Sequence, residues 1–400
     1  MKKQYIHTKF PLFILMLNLF IALLGQGMVI PILPDYLKQF NAAGSAAGYL
    51  VAAFGAAQFL FSPIGGRLSD KYGRKKLILA GLFLTVISDF IFAISHVLFE
   101  LYIARFIGGI GLGIMVPSVL AYVADVTTKE TRAKGMGYLS ASMNLGMVIG
   151  PGIGGVIAQF GIRIPYFFAA GLGLVATLLT IVLPETLSVE KRNTLKLKEK
   201  QESIVKQFKQ SVHTPYFKYL LLIFVMTFGL VNYETVYSLY VQQRYGFSAD
   251  KISILITLGA IIGIITQVVL IDKAIKIFGE YTLIRFSLVI SAAALLLMLI
   301  KVNFIYLLGV SSIFFAFNSF LRPTVNTLLA NEAGDQQGFV SGLNTTYTSI
   351  GNVIGPILAG NLFDSHINLP YTVGSFILIG AMFLTKSNKE ISKNEVVKNE

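Results

Sequence analysis

Residues 191–210 read KRNTLKLKEKQESIVKQFKQ, with seven basic and two acidic side chains in twenty positions. Such a stretch cannot lie in hydrocarbon, where every ionised group is costly. It belongs to the one long polar segment of the chain, 185–217, and what flanks that segment decides the fold. Upstream, apolar runs recur at 10–33, 46–66, 77–96, 98–122, 136–158 and 164–184. Downstream they recur at 218–241, 252–271, 281–300, 303–328, 339–362 and 368–386. Each is close to the about 20 residues that a helix needs to cross a bilayer. Backbone groups facing lipid must be satisfied within their own segment, so helices are expected throughout. The expectation is an all-α membrane protein of twelve transmembrane helices in two pseudo-symmetric six-helix bundles, 1–184 and 218–386. A cytoplasmic linker, 185–217, joins them and a cytoplasmic tail, 387–400, follows. Within the linker, the spacing of Ile204, Val205 and Phe208 suggests an amphipathic helix lying on the membrane.

Composition points the same way. Of 400 residues 54% are hydrophobic and 13% charged, about half the charged share of a soluble domain. The first run follows Lys2, Lys3 and Lys9; its length and the eleven runs after it favour a retained span over a cleaved signal peptide. The net charge of +13 is explained by its distribution. With the N-terminus inside, 25 Lys and Arg fall in inner segments and five in outer ones: Lys38, Arg163, Arg244, Lys251 and Lys301. That asymmetry places both termini in the cytoplasm. The basic residues then face anionic headgroups, and nucleic acid is not an expected partner. Cysteine is absent, which removes disulfide and thiol chemistry.

The two halves repeat each other. Residues 146–155 read GMVIGPGIGG in the fifth run, and 351–360 read GNVIGPILAG in the eleventh. Two related halves with a substrate path between them is a known transporter plan. Three further stretches carry a specific resemblance: GRLSDKYGRK (66–75) between the second and third runs, RFIGG (105–109) in the fourth, and GMVIGPGIGG itself. With these the chain resembles the major facilitator superfamily. GQGMVIPILP (25–34), YETVYSLY (233–240) and TSIGNVIGP (348–356) resemble its NorA/Bmr-like subgroup of multidrug:proton antiporters. The similarity covers nearly all of the chain except the linker and the tail.

The resemblance implies the major facilitator fold and export of lipophilic, cationic drugs in exchange for protons, by alternating access, from a monomer in a bacterial cell membrane. A narrower proton-coupled exporter, for a tetracycline-like drug or an endogenous lipid or sugar metabolite, is the alternative. Glu234 has more than a dozen mostly apolar positions before it, where an ionised carboxylate is costly, so it is a candidate proton carrier; the family pattern places a coupling carboxylate there. Asp89 in the third run is the second candidate, beside a packing role. Arg105 and Arg322 are candidates to balance Glu234 or line the cavity, with snorkelling as the plain alternative. By resemblance Phe54, Gln58, Asn144, Thr348 and Asn352 face the cavity, where aromatic faces suit flat cations. The subgroup commonly has an acid three positions before the arginine matching Arg322. Here that position is Ser319, preceded by Asn318, so the usual two-carboxylate site is incomplete. Asp70, Arg74 and Asp125 are candidates for an inner-mouth charge cluster that the family uses as a latch. Gly150 and Pro151 are expected to open and bend the fifth helix or simply to pack it.

Enzyme chemistry is not expected. There is no GxxxxGK[ST] phosphate loop, so the proton gradient rather than ATP is the expected energy source. His7, His96, His213 and His366 have no metal-ligand spacing, and neither metal nor cofactor is expected.

Overall fold

The computed structural model describes residues 2–187 and 204–385; the tail 387–400 and most of the charged linker lie outside them. In chain order the helices are α1 (Lys2–Val29), α2 (Leu33–Lys38), α3 (Gly44–Tyr72), α4 (Arg74–Ile94), α5 (Leu98–Val126), α6 (Lys129–Ile157) and α7 (Ile164–Ile181). Then follow α8 (Ile204–Ser211), α9 (Phe217–Tyr245) and α10 (Ala249–Phe278), the last interrupted by a π turn at Thr266–Leu270. The chain continues as α11 (Glu280–Leu297), α12 (Phe304–Ala333), α13 (Gln337–Ser365) and α14 (Leu369–Ala381). Among the described residues no strand is present.

Ten of these helices are long and apolar enough to cross a bilayer. α13 has the length at 29 residues but carries Asn, Thr and Gly along it, and α14 is the short apolar helix that continues to Thr385. Together they follow the order of the twelve apolar runs. Several extend well past those runs: α3 ends at Tyr72, α6 starts at Lys129 and α12 ends at Ala333. At about 1.5 Å per residue, 29 residues span about 44 Å, the thickness of a bilayer with its headgroups. The apolar run marks only the hydrocarbon part of each helix. Outward-facing side chains agree: Ile305 is 78% exposed, Val268 74% and Phe376 71%. Apolar exposure on this scale calls for lipid as the surrounding solvent.

The chain forms two compact units. The first holds α1–α7 together with residues 241–257; the second holds α8, α9 up to Tyr240, and the chain from Leu258 on. In the first unit Leu15, Leu19, Ile78, Leu82, Met115 and Val119 close the core between α1, α4 and α5. Asn18 Nδ2 donates to Thr180 Oγ1 at 2.8 Å, tying α1 to α7 through a buried hydrogen bond.

The repeated glycine stretch has a packing role in each unit. Gly146, Gly150 and Gly154 sit four residues apart on one face of α6, against α1. A methyl group on Gly150 would lie 2.7 Å from Leu24 O and 2.9 Å from Gly27 Cα, and one on Gly154 would overlap Met28 O. In the second unit Gly351 and Gly355 of α13 approach Phe224 O and Phe228 O of α9, at 3.2 and 3.3 Å from the same methyl position. Small residues let helix backbones meet closely in lipid.

The linker helix forms as α8, and it lies against α13. Ser211 Oγ pairs with Tyr347 OH at 2.8 Å, and the Phe208 and Tyr347 rings are 5.2 Å apart.

Candidate functional site

At one end of the first unit a single residue, Gly73 (φ +115°), separates α3 from α4. Arg74 opens α4 with its side chain only 7% exposed. Its Nη1 lies 2.5 Å from Asp70 Oδ1 and donates to Ser69 Oγ at 3.1 Å. Its Nε donates to Asp125 Oδ2 near the end of α5, at 3.3 Å. Asp70, Arg74 and Asp125 are thus brought together: one guanidinium on three helices, with charge-assisted hydrogen bonds.

Two partners of this cluster escape a sequence reading. Glu185, just beyond α7, accepts from Arg74 N at 2.8 Å through Oε1 and from Lys75 N at 3.2 Å through Oε2. Thr186 Oγ1 donates to Asp125 Oδ2 at 3.1 Å. Tyr122 OH donates to Pro184 O at 2.8 Å and Lys75 Nζ to Ile181 O at 2.7 Å. The signal was present as an acid directly after the sixth apolar run, on the side where basic residues dominate.

Deeper in the first unit Asp89 is half-buried on α4. Its Oδ2 lies 3.5 Å from where a methyl group on Gly25 of α1 would stand. Arg105 on α5 lays its guanidinium over the Phe92 ring, 4.9 Å from the centroid. Phe92 stacks on Tyr166 at 4.4 Å, and Tyr36 of α2 joins both, its OH donating to Phe92 O. Burial pushes the Tyr36 phenol up to about 12, against the pull of Arg163, so it stays a donor at any working pH. Arg105 Nε and Tyr166 OH are buried without a hydrogen-bond partner among the described residues. Phe54 of α3 packs on Gly108 of α5; Gln58, one turn along, is half-buried, and Asn144 of α6 is exposed.

In the second unit Glu234 sits mid-way along α9, half-buried, with no hydrogen bond or ion pair to any described residue. Its neighbour Tyr233 packs on Tyr237 of α9 and on Phe314 and Phe315 of α12, with centroids 4.7, 4.4 and 5.6 Å apart. Further along α12, Ser319 Oγ donates to its own helix at Ala316 O, 2.7 Å away. Asn318 is half-buried and Arg322 is exposed, making no ion pair with Glu234. On α13, Thr348 Oγ1 donates to Asn344 Oδ1 at 3.4 Å, and Asn344 Nδ2 donates to Asn326 Oδ1 of α12 at 2.9 Å. Asn352 lies one turn beyond Thr348, half-buried.

This arrangement has known relatives. The family model described as Major Facilitator Superfamily matches residues 15–356 and 232–390. The chain belongs to the major facilitator superfamily. Similarity within the superfamily extends over the whole chain. "Multidrug resistance protein 2" of Bacillus subtilis (strain 168) is 41% identical over 396 residues, 99% of each chain. "Multidrug resistance protein 1" of the same organism is 42% identical over 93% of this chain and 94% of its own length. "Quinolone resistance protein NorA" of Staphylococcus aureus (strain MRSA252) is 39% identical, covering 95% and 96%. Among solved structures, the nucleoside transporter NupG matches at a TM-score of 0.73 with 13% identity, over 94% of this chain and 97% of that one. The human organic anion transporter MFSD10 (TETRAN) matches at 0.66 with 21% identity, over 95% and 99%. These two likenesses carry the fold alone. As a major facilitator the chain is a multi-pass membrane transporter and not an enzyme.

Proposed function

We propose that this transporter exports lipophilic, cationic drugs from a bacterial cell in exchange for protons, with Glu234 as the group at which proton and drug compete. The observation that carries the reading is Glu234 itself, a carboxyl in the middle of α9 that makes no hydrogen bond or ion pair with any described residue. A carboxylate left unpaired within the membrane is a functional group by default. The names of the relatives, multidrug and quinolone resistance proteins, support drugs as the substrate class, and the preference for cations rests on Glu234. Phe54, Gln58, Asn144, Asn318, Ser319, Arg322, Thr348 and Asn352 are the proposed cavity residues. Asp89, with Arg105 near it, is the second proton-carrying candidate. Asp70, Arg74 and Asp125 are the proposed inner gate, and Gly150 and Pro151 the proposed bending point of α6. The transporter acts as a monomer with both termini in the cytoplasm.

The test is uptake by purified protein in proteoliposomes with an imposed pH gradient, against a panel of monovalent, divalent and neutral dyes. Accumulation of cationic dyes that collapses with the gradient supports the reading. Transport of one metabolite class only, or accumulation indifferent to the gradient, overturns it.

A further inference from the structure

The segment Pro184–Leu187 does more than leave the membrane. α4 starts abruptly after Gly73, and Gly73 offers no side chain to cap the first amides of the helix. Those amides need acceptors, and the cap comes from 111 residues away: Glu185 accepts from Arg74 N and Lys75 N. A carboxylate at this end also meets the positive pole of the helix. The same segment is held at its other positions. Tyr122 OH fixes Pro184 O, Thr186 Oγ1 bonds the very Asp125 oxygen that Arg74 Nε bonds, and Leu187 is buried. Gly73 is packed so closely on the Glu185 carboxylate that a methyl group there would overlap it.

We propose that Glu185 is a positioning residue of the inner gate: it pins the first turn of α4 so that Arg74 is held between Asp70 and Asp125. This rests on the gating role proposed above for those three residues. The geometry separates two effects. Glu185 touches the backbone of Arg74 and Lys75, whereas Asp70 and Asp125 touch the guanidinium. Losing Glu185 therefore leaves every gate charge in place and loosens the frame on which Arg74 stands. The populations of the transport cycle then shift without any change in what contacts the drug.

The experiment compares Glu185→Gln, which keeps shape and one acceptor, with Glu185→Ala. Each is measured as turnover per folded transporter, apparent KM for a cationic dye, and Tm. Glu185→Gln is expected to lower kcat about tenfold, the lower end of the scale of one hydrogen bond to a charged group, with KM unchanged. In an Arg74→Lys chain, where the guanidinium is already lost, Glu185→Gln should have clearly less effect on kcat while lowering Tm as before. Parent-like turnover of Glu185→Gln overturns the proposal. So does a loss confined to Tm and yield, or a kcat loss of the same fold in the Arg74→Lys chain. If the parent itself fails to move dye, the export reading fails instead, and the two failures stay distinct.

Discussion

Glu234 and Asp89 are both carboxyls in apolar helices, yet their surroundings differ. Asp89 shares its region with Arg105 and the Tyr36–Phe92–Tyr166 stack, whereas Glu234 has no ionic partner among the described residues. A site with one exchangeable charge couples a proton to a cation only if the two compete for it. Protonation removes the negative charge, so cation binding to the purified transporter should weaken as pH falls, and dye titrations at a series of pH values would read this. Glu234→Gln imitates the protonated form. It should abolish accumulation of a monovalent dye against its gradient in inside-out vesicles, while neutral ligands still bind. Accumulation that survives would move the coupling site to Asp89. Ser319→Asp should add a second acid on α12 and favour divalent over monovalent dyes in the same assay. These residues were legible because an ionisable side chain stands out in an apolar run. Glu185 was not, because an acid in a loop reads as a solvated charge until the fold brings it to Arg74 N.

Helices show a similar division between what hydropathy reveals and what it hides. The twelve runs mark where hydrocarbon must be, and they find the helices in order. They do not mark where helices end, because α3, α6 and α12 continue past the runs, to a length that matches a bilayer with its polar headgroup regions. α2, six residues long, and the π turn inside α10 are shorter than any period a sequence window resolves. The glycine repeat was visible as a pattern, but its close backbone contact needed coordinates. That contact is testable at the level of the element. Gly150→Ala places a methyl group against Leu24 O and Gly27 Cα, and overpacking of this kind costs about 1–3 kcal/mol. Gly137 lies on the same helix with nothing within 4 Å of the added methyl, so Gly137→Ala should stabilise by about 0.5–1 kcal/mol through helix propensity alone. Thermal unfolding of both variants in detergent compares them directly. Equal changes in the two variants would mean that α6 does not rely on its seam with α1.

At the scale of the whole molecule, the proposed orientation in the membrane rests on charge. Under the proposed orientation 25 basic residues fall in inner segments and five in outer ones, and sorting of this kind acts during insertion rather than through contacts in the folded state. The proposed orientation therefore rests on the order of charges along the chain. The Asp70–Arg74–Asp125–Glu185 cluster sits where α3 gives way to α4, in the stretch that also holds Arg67, Lys71, Lys75 and Lys76. The gate proposed for the inner mouth and the positive-inside signal thus occupy one end of the same helix. The chain has no cysteine, which makes a single introduced thiol an unambiguous reporter. A cysteine at Ser203, which precedes α8 and lies outside the described residues, should resist a membrane-impermeant thiol reagent in intact cells and react once the membrane is opened. A cysteine at Asn41, between α2 and α3, is exposed and should react in intact cells. If Ser203→Cys labels and Asn41→Cys does not, the topology is inverted, and the cluster around Arg74 becomes an outer gate rather than an inner one. Drug export would then require that cluster to close when the carrier faces the cytoplasm, so the Glu185 variants would change the opposite half of the transport cycle.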